Sequence, residues 1–208
     1  SGRTADVGSV RCAVCPKGTK RHGNNEVDGS DLGNYSCVGC DAGYWSDSDS
    51  TECIYCPKGF YSNQTKSDSC QVCEAGRYNP SKASSESMNV SCIKCMVGTY
   101  SSAKGVADID GCNACSPGKY SMEEGNTKSS KCQTCVVGFF QDLPGNTTCR
   151  ECPIGFGNKA QGSTTCNAVP PGSYSWNGTL RTCKEGHFCK GEAANETACS
   201  PGFYATNN

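Results

Sequence analysis

The stretch Cys56-Pro57-Lys58-Gly59-Phe60-Tyr61-Ser62, followed by a polar run that ends at Cys70-Gln71-Val72-Cys73, contains the complete pattern of this chain. Its proline and glycine predict a tight turn, because proline fixes φ and glycine readily adopts a positive φ. The aromatic residue then begins a short extended run, and we expect its ring to pack over the adjacent disulfide. The polar run returns the chain to the next cysteine. The stretch therefore predicts one small module with a turn, a short strand and a polar return loop.

The same pattern recurs along the chain as eight successive Cys-x-x-Cys pairs, each followed by a glycine three residues after its second cysteine. Further copies begin at Val169, Cys183 and Cys199, and nine of the eleven copies have an aromatic residue five positions after their opening residue. A period of about 16 to 25 residues from end to end predicts a linear array of repeats. We expect about eleven short β/turn modules that touch only their neighbours and form an elongated rod.

The composition leaves little material for a packed interior. Hydrophobic residues make up 35% of the 208 residues, and this share includes 20 cysteines. So few apolar residues in each module cannot offset an ordering cost of about 1 to 2 kcal/mol per residue. A disulfide that closes a loop of about 15 residues supplies about 3 kcal/mol in the chain-entropy model. We therefore predict a small disulfide-rich fold with little hydrophobic core, in which the cystines are the core.

Charge and hydropathy exclude several classes of function. A formal net charge of −1 gives no support for binding nucleic acid or an anionic membrane surface. The sequence has no apolar run that approaches the roughly 20 residues needed to span a bilayer, so we expect no transmembrane segment in this window. It starts without an initiator methionine or a signal peptide, and we therefore expect a mature or excised segment.

The repeat boundaries predict five segments. Residues 1–14 form the closing part of an upstream module, and residues 15–166 form eight tandem modules. Residues 167–182 form a module that lacks its disulfide, and residues 183–198 form a variant with a short loop. Residues 199–208 form the opening part of a further module.

The cysteine spacing suggests a connectivity, although sequence alone does not prove it. Eight disulfides follow if the second cysteine of one pair opens a module and the first cysteine of the next pair closes it. These disulfides are Cys15–Cys37, Cys40–Cys53, Cys56–Cys70, Cys73–Cys92, Cys95–Cys112, Cys115–Cys132, Cys135–Cys149 and Cys152–Cys166.

The motif Cys-Pro-x-Gly-x-Tyr, a polar loop and Cys-x-x-Cys together resemble the ephrin-receptor-like and tumour-necrosis-factor-receptor-like cysteine-rich repeats. The resemblance covers residues 12–204. Modules of that type stack into an elongated rod, so the resemblance implies the same arrangement here. It is specific for the type of module and not for function, because such modules serve receptors, adhesins and extracellular fibres.

Zinc is the main alternative for the cysteines. Cys92/Cys95 and Cys112/Cys115 match a zinc-ribbon spacing, with 16 residues between the two pairs. Eight equivalent pairs with a repeated glycine–aromatic signature favour disulfides instead. A thioredoxin-like redox role would need a βαβ pattern around a Cys-x-x-Cys pair, and none surrounds one. An epidermal-growth-factor fold would need a Cys-x-Cys step, which the sequence lacks.

The module after Cys166 departs from the pattern. Its opening and closing positions hold Val169 and Leu180, so both halves of the expected disulfide are missing together. We expect these two side chains to lie close together as a small apolar substitute for the cystine. Because this module has no cysteine of its own, Cys183 and Cys189 are left to pair with each other, and we predict a disulfide between them that closes a tight loop.

The two end cysteines are predicted to link outward. Cys12 closes a module whose opening cysteine is absent from residues 1–11, and Cys199 opens a module whose closing cysteine would lie beyond Asn208. A window cut from a longer tandem array would have such complementary halves, and so would copies that meet head to tail. We therefore expect further copies or further repeats of the same protein as partners.

Six Asn-x-Ser/Thr sequons predict covalent N-linked glycans in the polar return loops. The acceptor residues are Asn34, Asn63, Asn89, Asn146, Asn177 and Asn195. Asn79 is excluded because Pro80 follows it. A coat of glycans would solubilise and protect a rod without a core. Together with the cystines, the sequons predict a protein that is extracellular or on the cell surface.

The other candidates for chemistry are weak. His22 lies in a polar loop and His187 in a turn, and neither has a nucleophile–acid constellation around it. The acidic stretches Asp28-Gly29-Ser30-Asp31 and Asp47-Ser48-Asp49-Ser50 could attract calcium, but neither follows the EF-hand order. We predict no enzyme, with no catalytic residue, metal site or cofactor.

Two classes of function remain. The uninterrupted array and the dense sequons favour a structural glycoprotein, either a subunit or a segment of an extracellular filament or surface coat. The alternative is a ligand-binding or adhesive stalk of a receptor-like ectodomain. That alternative would expect an upstream ligand-binding domain or a downstream membrane span.

Overall fold

The structure is a computed structural model that describes residues 3–4, 13–23 and 36–205. Within these ranges the chain forms eleven two-stranded antiparallel hairpins in tandem and almost no helix. The strands are β1 Arg3–Thr4, β2 Ala13–Val14, β3 Thr19–His22, β4 Ser36–Gly39, β5 Tyr44–Trp45, β6 Ile54–Tyr55, β7 Phe60–Tyr61, β8 Gln71–Val72, β9 Arg77–Tyr78, β10 Ile93–Lys94, β11 Thr99–Tyr100, β12 Asn113–Ala114, β13 Lys119–Tyr120, β14 Gln133–Thr134, β15 Phe139–Phe140, β16 Arg150–Glu151, β17 Phe156–Gly157, β18 Asn167–Ala168, β19 Ser173–Trp176, β20 Thr179–Thr182, β21 His187–Phe188 and β22 Thr197–Ala198. The helical elements there are α1 (Met88–Ser91) and two 3₁₀ turns, Ile109–Gly111 and Ser129–Lys131.

Each hairpin is one module of the repeat. In a regular module the first strand starts directly after the module glycine, and the second strand is the dipeptide between the two cysteines of the next pair. In the hairpin of β7 and β8, for example, Phe60 lies opposite Val72 and Tyr61 lies opposite Gln71. The predicted fold class, a tandem array of short disulfide-rich β/turn modules, is confirmed.

The turn before each first strand depends on its glycine. Phe60 donates its backbone N–H to the carbonyl oxygen of Pro57 at 3.1 Å, and Gly59 between them has a φ of 82°. A positive φ at the third residue is the signature of a type II turn. The same backbone bond forms where Asp41 or Val136 replaces proline. Glycine, rather than proline, is therefore the shared requirement of the turn.

The chain divides into two compact units. The first unit comprises residues 1–95 and 101–112 and contains the five hairpins from β1–β2 to β9–β10. The second unit comprises residues 96–100 and 113–208 and contains the six hairpins from β11–β12 to β21–β22.

Cysteines are the most numerous buried apolar residues in each unit. The opening cysteines of the eight regular modules are at most 5% exposed: Cys15, Cys40, Cys56, Cys73, Cys95, Cys115, Cys135 and Cys152. In the first unit Tyr61 packs against Cys73 and Cys92, with Met88 beside them. The expected packing of the aromatic ring on an adjacent disulfide is therefore confirmed at Tyr61. Tyr204, in contrast, is 82% exposed and does not meet this expectation.

The described segments include no helix that is long and apolar enough to cross a membrane.

Candidate functional site

Nine disulfides join the cysteines of successive strands and turns in the described residues. The structure pairs Cys15–Cys37, Cys40–Cys53, Cys56–Cys70, Cys73–Cys92, Cys95–Cys112, Cys115–Cys132, Cys135–Cys149, Cys152–Cys166 and Cys183–Cys189. Cys199 is free and partly buried. Cys12 lies outside the described residues, so its predicted outward link stays a prediction.

Val169 and Leu180 occupy the two cystine positions of their module. Val169 is 2% exposed, and its N–H donates to the carbonyl of Gly155 at 2.9 Å, as the N–H of an opening cysteine does elsewhere. Leu180 lies opposite Ser175 in the β19–β20 hairpin, which is the register of a closing cysteine. The side-chain contact between Val169 and Leu180 stays a prediction.

Glu196 takes the closing position of the short-loop module. Cys183, which opens this module, is bonded to Cys189 instead. The Glu196 carboxylate accepts the backbone N–H of Lys184 at 3.2 Å and forms an ion pair with the Lys184 Nζ at 3.0 Å. Hydrogen bonding from the Lys184 side chain is the main cause that lowers the pKa of Glu196, and the same contact raises the pKa of Lys184. A charged pair therefore links the two ends of the module where a cystine is expected.

The first bond between modules joins an opening residue to the glycine before it. Cys56 donates its N–H to the carbonyl of Gly43 at 2.8 Å, and Cys73 donates to Gly59 at 2.9 Å. The same bond recurs from Cys40 to Gly18, Cys95 to Gly76, Cys115 to Gly98, Cys135 to Gly118, Cys152 to Gly138, Val169 to Gly155, Cys183 to Gly172 and Cys199 to Gly186.

A second bond uses the residue that follows the aromatic position, six places after the opening residue. Gly59 donates its N–H to the carbonyl of Asn79 at 2.9 Å, and the Asn79 side chain donates back to the carbonyl of Phe60 at 2.9 Å. Asn79 is 1% exposed, and eight of the nine residues at this position from Ser46 to Cys189 are Ser, Asn or Gln. These eight buried polar residues are Ser46, Ser62, Asn79, Ser101, Ser121, Gln141, Asn158 and Ser175.

The burial of this polar position was not predicted from the sequence. The available signal was a short polar residue directly after the aromatic position in consecutive copies, which is as regular as the glycine. The sequence pattern places such a residue, Ser62 for example, at the end of the short extended run and assigns it no partner. The structure instead buries them against the preceding module, where they bind backbone groups.

The third contact comes from the return loop and extends across two module boundaries. Gly105, with a φ of 70°, donates its N–H to the carbonyl of Cys73 at 2.8 Å, one module upstream. Its own carbonyl oxygen faces Gly59, two modules upstream, where a Cβ would lie 2.1 Å from that oxygen. Equivalent close approaches to an upstream glycine occur for Lys66 at Gly18, Ala83 at Gly43, Gly145 at Gly98, Gly162 at Gly118, Asn177 at Gly138 and Glu192 at Gly155.

The expectation that modules touch only their immediate neighbours is therefore wrong. The return loop is long enough to cross the intervening module, and the missing Cβ of glycine gives its carbonyl a place to pack. The module glycine consequently has two functions, since it makes the turn and also receives a later loop.

Three glycines near the C-terminal end of the described chain lack this cover. A Cβ on Gly172, Gly186 or Gly202 would meet no described atom within 4 Å, although each has the same positive φ. Phe203 and Tyr204 beside the last of them are 76% and 82% exposed. At the other end Arg3–Thr4 pairs with Ala13–Val14 in the register of a first strand.

The described sequon asparagines are accessible. Asn63, Asn89, Asn177 and Asn195 are exposed, and Asn146 is half-buried. The side chain of Asn146 donates to the carbonyl of Leu143 at 3.2 Å, and that of Asn89 accepts from Arg77. Asn34 lies outside the described residues. By contrast, Asn79, which Pro80 excludes as an acceptor, is buried.

The acidic and histidine candidates have ordinary surface contacts. The backbone N–H of Ser48 is the main cause that lowers the pKa of Asp47, and Lys17 adds an ion pair at 3.4 Å. His22 is exposed on a strand edge, and His187 lies beside the carbonyl of Glu185. No group of three or more His, Cys, Asp or Glu residues in the described segments could hold a metal ion. The stretch 28–31 lies outside them.

Two regions of the chain, residues 43–89 and 118–168, match the family model described as tyrosine-protein kinase ephrin type A/B receptor-like. Together they cover just under half of the chain. No curated protein matches the sequence. The chain thus carries ephrin-receptor-like cysteine-rich repeats in two tandem regions, a non-enzymatic type of repeat. The repeats and the many disulfides indicate an extracellular or secreted receptor-like or repeat protein.

Proposed function

We propose that this chain, which carries ephrin-receptor-like cysteine-rich repeats, is a structural glycoprotein subunit or segment of an extracellular filament or surface coat. One observation supports this proposal most strongly. Three kinds of contact recur along each unit, and in the first and the third of them backbone groups meet backbone groups, so that a module is held by the next one and by the one after it. Such a geometry suits a scaffold, because its backbone contacts do not depend on the side chains that vary between modules.

Imaging of native material tests this proposal. Negative-stain electron microscopy of the protein released from its source under non-reducing conditions should show filaments or a continuous coat. Single stalks attached to a membrane, with no lateral or axial assembly, would contradict it.

We propose further copies or repeats of the same protein as the partners along the array. The uncovered Gly186 and Gly202 offer positions where the loops of later modules would pack, and Cys199 is free to form a disulfide outside the described chain. If Cys199 joins Cys12 of a second copy, Phe203–Tyr204 must displace Arg3–Thr4 from its pairing with Ala13–Val14. Non-reducing mass spectrometry of intact assemblies should find both cysteines in disulfides between copies or to further repeats. A Cys12–Cys199 disulfide within one monomer, or two free thiols, would contradict this.

The alternative function is a ligand-binding or adhesive stalk of a receptor-like ectodomain. The receptor-like description of the matched family favours it. Exposed apolar side chains, such as Ile154 at 85% exposure, are also available for a protein ligand. Surface crosslinking on intact cells separates the two functions, because a stalk would be crosslinked to a different protein and a coat to further copies of this chain.

A further inference from the structure

A groove of about 230 Å³ lies in the second unit, between the modules that open at Cys152, Val169 and Cys183. Its apolar wall includes Ile154 and Trp176, which are 85% and 51% exposed. Tryptophan side chains are mostly buried in folded proteins, so an indole ring with half of its surface exposed is unusual. The groove is smaller than the roughly 300 to 1,000 Å³ pockets that enclose drug-sized ligands, so it suits a group about as large as one sugar ring.

Two of the six sequon asparagines, Asn177 and Asn195, line this same groove. Both are exposed, and they belong to different modules. Two glycan acceptors thus lie beside one groove whose lining is part polar and part apolar, as the two kinds of surface on a sugar ring require.

The turn that carries Asn177 is held in a fixed position. Asn177 and Gly178 have φ values of 48° and 70°, as a type I′ turn requires between Trp176 and Thr179. The carbonyl of Gly178 accepts the N–H of Asn158 at 3.1 Å, and the carbonyl of Asn177 packs on Gly138. A sugar attached to Asn177 would therefore start from a defined point beside the indole ring.

We propose that N-linked glycans on Asn177 and Asn195 cover this groove, and that the first sugar on Asn177 packs against Trp176. A pyranose ring presents C–H groups on one face, and an indole offers a large apolar face with a negative quadrupole. The glycan is thus a structural part of the second unit as well as a solubilising group. This inference rests on the glycoprotein character in the proposed function, but not on whether the array is a filament or a stalk.

The modification itself is a substitution at the anomeric carbon of a polyprenyl-diphosphate-linked oligosaccharide. The Asn177 Nδ2 forms a bond to this carbon, the bond from the carbon to the diphosphate oxygen breaks, and the amide nitrogen loses one proton. The step involves no oxidation or reduction.

The test uses the complete chain produced in a secretory host, with Trp45→Phe as the background so that Trp176 is the single tryptophan. Phenylalanine is an ordinary residue at that position, since Phe140 occupies the equivalent place in another module. Glycan occupancy at each sequon is measured by peptide mass spectrometry, and the accessibility of Trp176 is measured by acrylamide quenching of its fluorescence.

We expect Asn177→Gln to raise the quenching constant about twofold, because a sugar on one face of a two-faced ring shields about half of it. Asn195→Gln should produce a smaller rise. The matched control is Asn63→Gln, which removes an exposed sequon of the first unit and should leave the quenching of Trp176 unchanged. Circular dichroism shows whether each variant is folded.

Two results would overturn the proposal, and they differ in what they mean. Full occupancy at Asn177 and Asn195 with unchanged quenching after Asn177→Gln would show that the glycans are present but do not cover the groove. The absence of glycan from both asparagines would remove the occupant itself. The absence of glycan from all six sequons would also remove the glycoprotein part of the proposed function.

Discussion

Asn79 connects two modules through both its backbone and its side chain. Asn79→Ala would keep the backbone bond from Gly59 but remove the side-chain bonds to Phe60 and Ser84. Because the half-buried carbonyl of Phe60 would lose its partner and the buried Ser84 would lose another, we expect a loss of about 1 to 3 kcal/mol in the free energy of unfolding. Denaturant unfolding with the disulfides intact measures this loss.

The control for Asn79 is Asn113→Ala. Asn113 is an exposed residue on strand β12, and no bond of its side chain enters the interior. The change should stay within about 0.5 kcal/mol, as is usual for surface substitutions. If both variants lowered the free energy of unfolding by the same amount, the buried side chain of Asn79 would contribute nothing to stability.

Glu196 gives the short-loop module a pH dependence. The pKa of Glu196 is lower in the folded state than its unfolded value of 4.5. Its contribution to stability is therefore present above pH 4.5 and is lost as the pH falls through the lower folded-state pKa. The pKa of Lys184 is higher in the folded state than its unfolded value of 10.5. Its contribution to stability is therefore present below pH 10.5 and is lost as the pH rises through the higher folded-state pKa. Glu196→Gln should therefore speed hydrogen exchange of the Lys184 amide at neutral pH, and Glu185→Gln should not. Unchanged exchange in Glu196→Gln would contradict this role of the pair.

At the residue scale, the sequence predicted the roles of the cysteines and glycines, but not those of the repeated polar residue or of Glu196. A recurring cysteine in such a chain forms a disulfide, and a recurring glycine forms a turn with positive φ. Their roles could therefore be inferred from their positions. A serine or an asparagine after the aromatic position is common in solvated loops as well as in buried contacts. Its burial depends on the neighbouring module, which the local sequence does not specify. Glu196 has the same difficulty, since a carboxylate in a cystine position has no sequence signature.

The module glycines allow the turn to be separated from the contact between modules. Gly98 and Gly186 both have positive φ, but a Cβ on Gly98 would lie 2.0 Å from the carbonyl oxygen of Gly145, whereas one on Gly186 would meet nothing described within 4 Å. Both alanine variants should lose about 1 to 2 kcal/mol of the free energy of unfolding, because alanine must adopt a left-handed backbone conformation there. Gly98→Ala should lower the free energy of unfolding by about 1 to 3 kcal/mol more, because the loop of a later module must shift to make room for the Cβ. Thermal unfolding measures both variants, and equal midpoints would mean that the loop contact adds no stability.

The disulfides should contribute according to the lengths of their loops. Replacement of both cysteines by alanine in Cys56–Cys70, with a sequence separation of 14, should cost about 3 kcal/mol. The same change in Cys183–Cys189, with a separation of 6, should cost about 2 kcal/mol, because a shorter loop restricts the unfolded chain less. Calorimetric unfolding of the two double variants measures the order of these effects. A larger loss at the short loop would contradict the chain-entropy explanation.

At the scale of the hairpin, the sequence was most informative where structure is local. Turn, first strand and closing dipeptide all lie within one repeat, so their residues could be assigned from spacing. The loop contact from Gly105 to Gly59 could not be predicted, because it depends on the angle at which successive hairpins stack. That angle is a property of the backbone geometry and does not change the residue pattern.

The repeat period of the sequence predicts the dimensions of the whole protein in solution. A compact chain of this length would have a radius of gyration of about 17 Å. A serial array of eleven modules should instead be on the order of 100 Å long or more. Small-angle X-ray scattering of the oxidised, deglycosylated protein distinguishes these cases. A radius of gyration near the compact value would contradict the predicted rod.

The long reach of the return loop has a consequence for synthesis. A chain enters the secretory pathway from its N-terminus, so Gly59 is translocated well before Gly105, the residue that covers it. The two most recently translocated modules are therefore incomplete at every moment of elongation, even after their own disulfides have formed. Folding then advances from the N-terminus with a lag of two repeats, and each newly arrived loop completes a module that was made two repeats earlier.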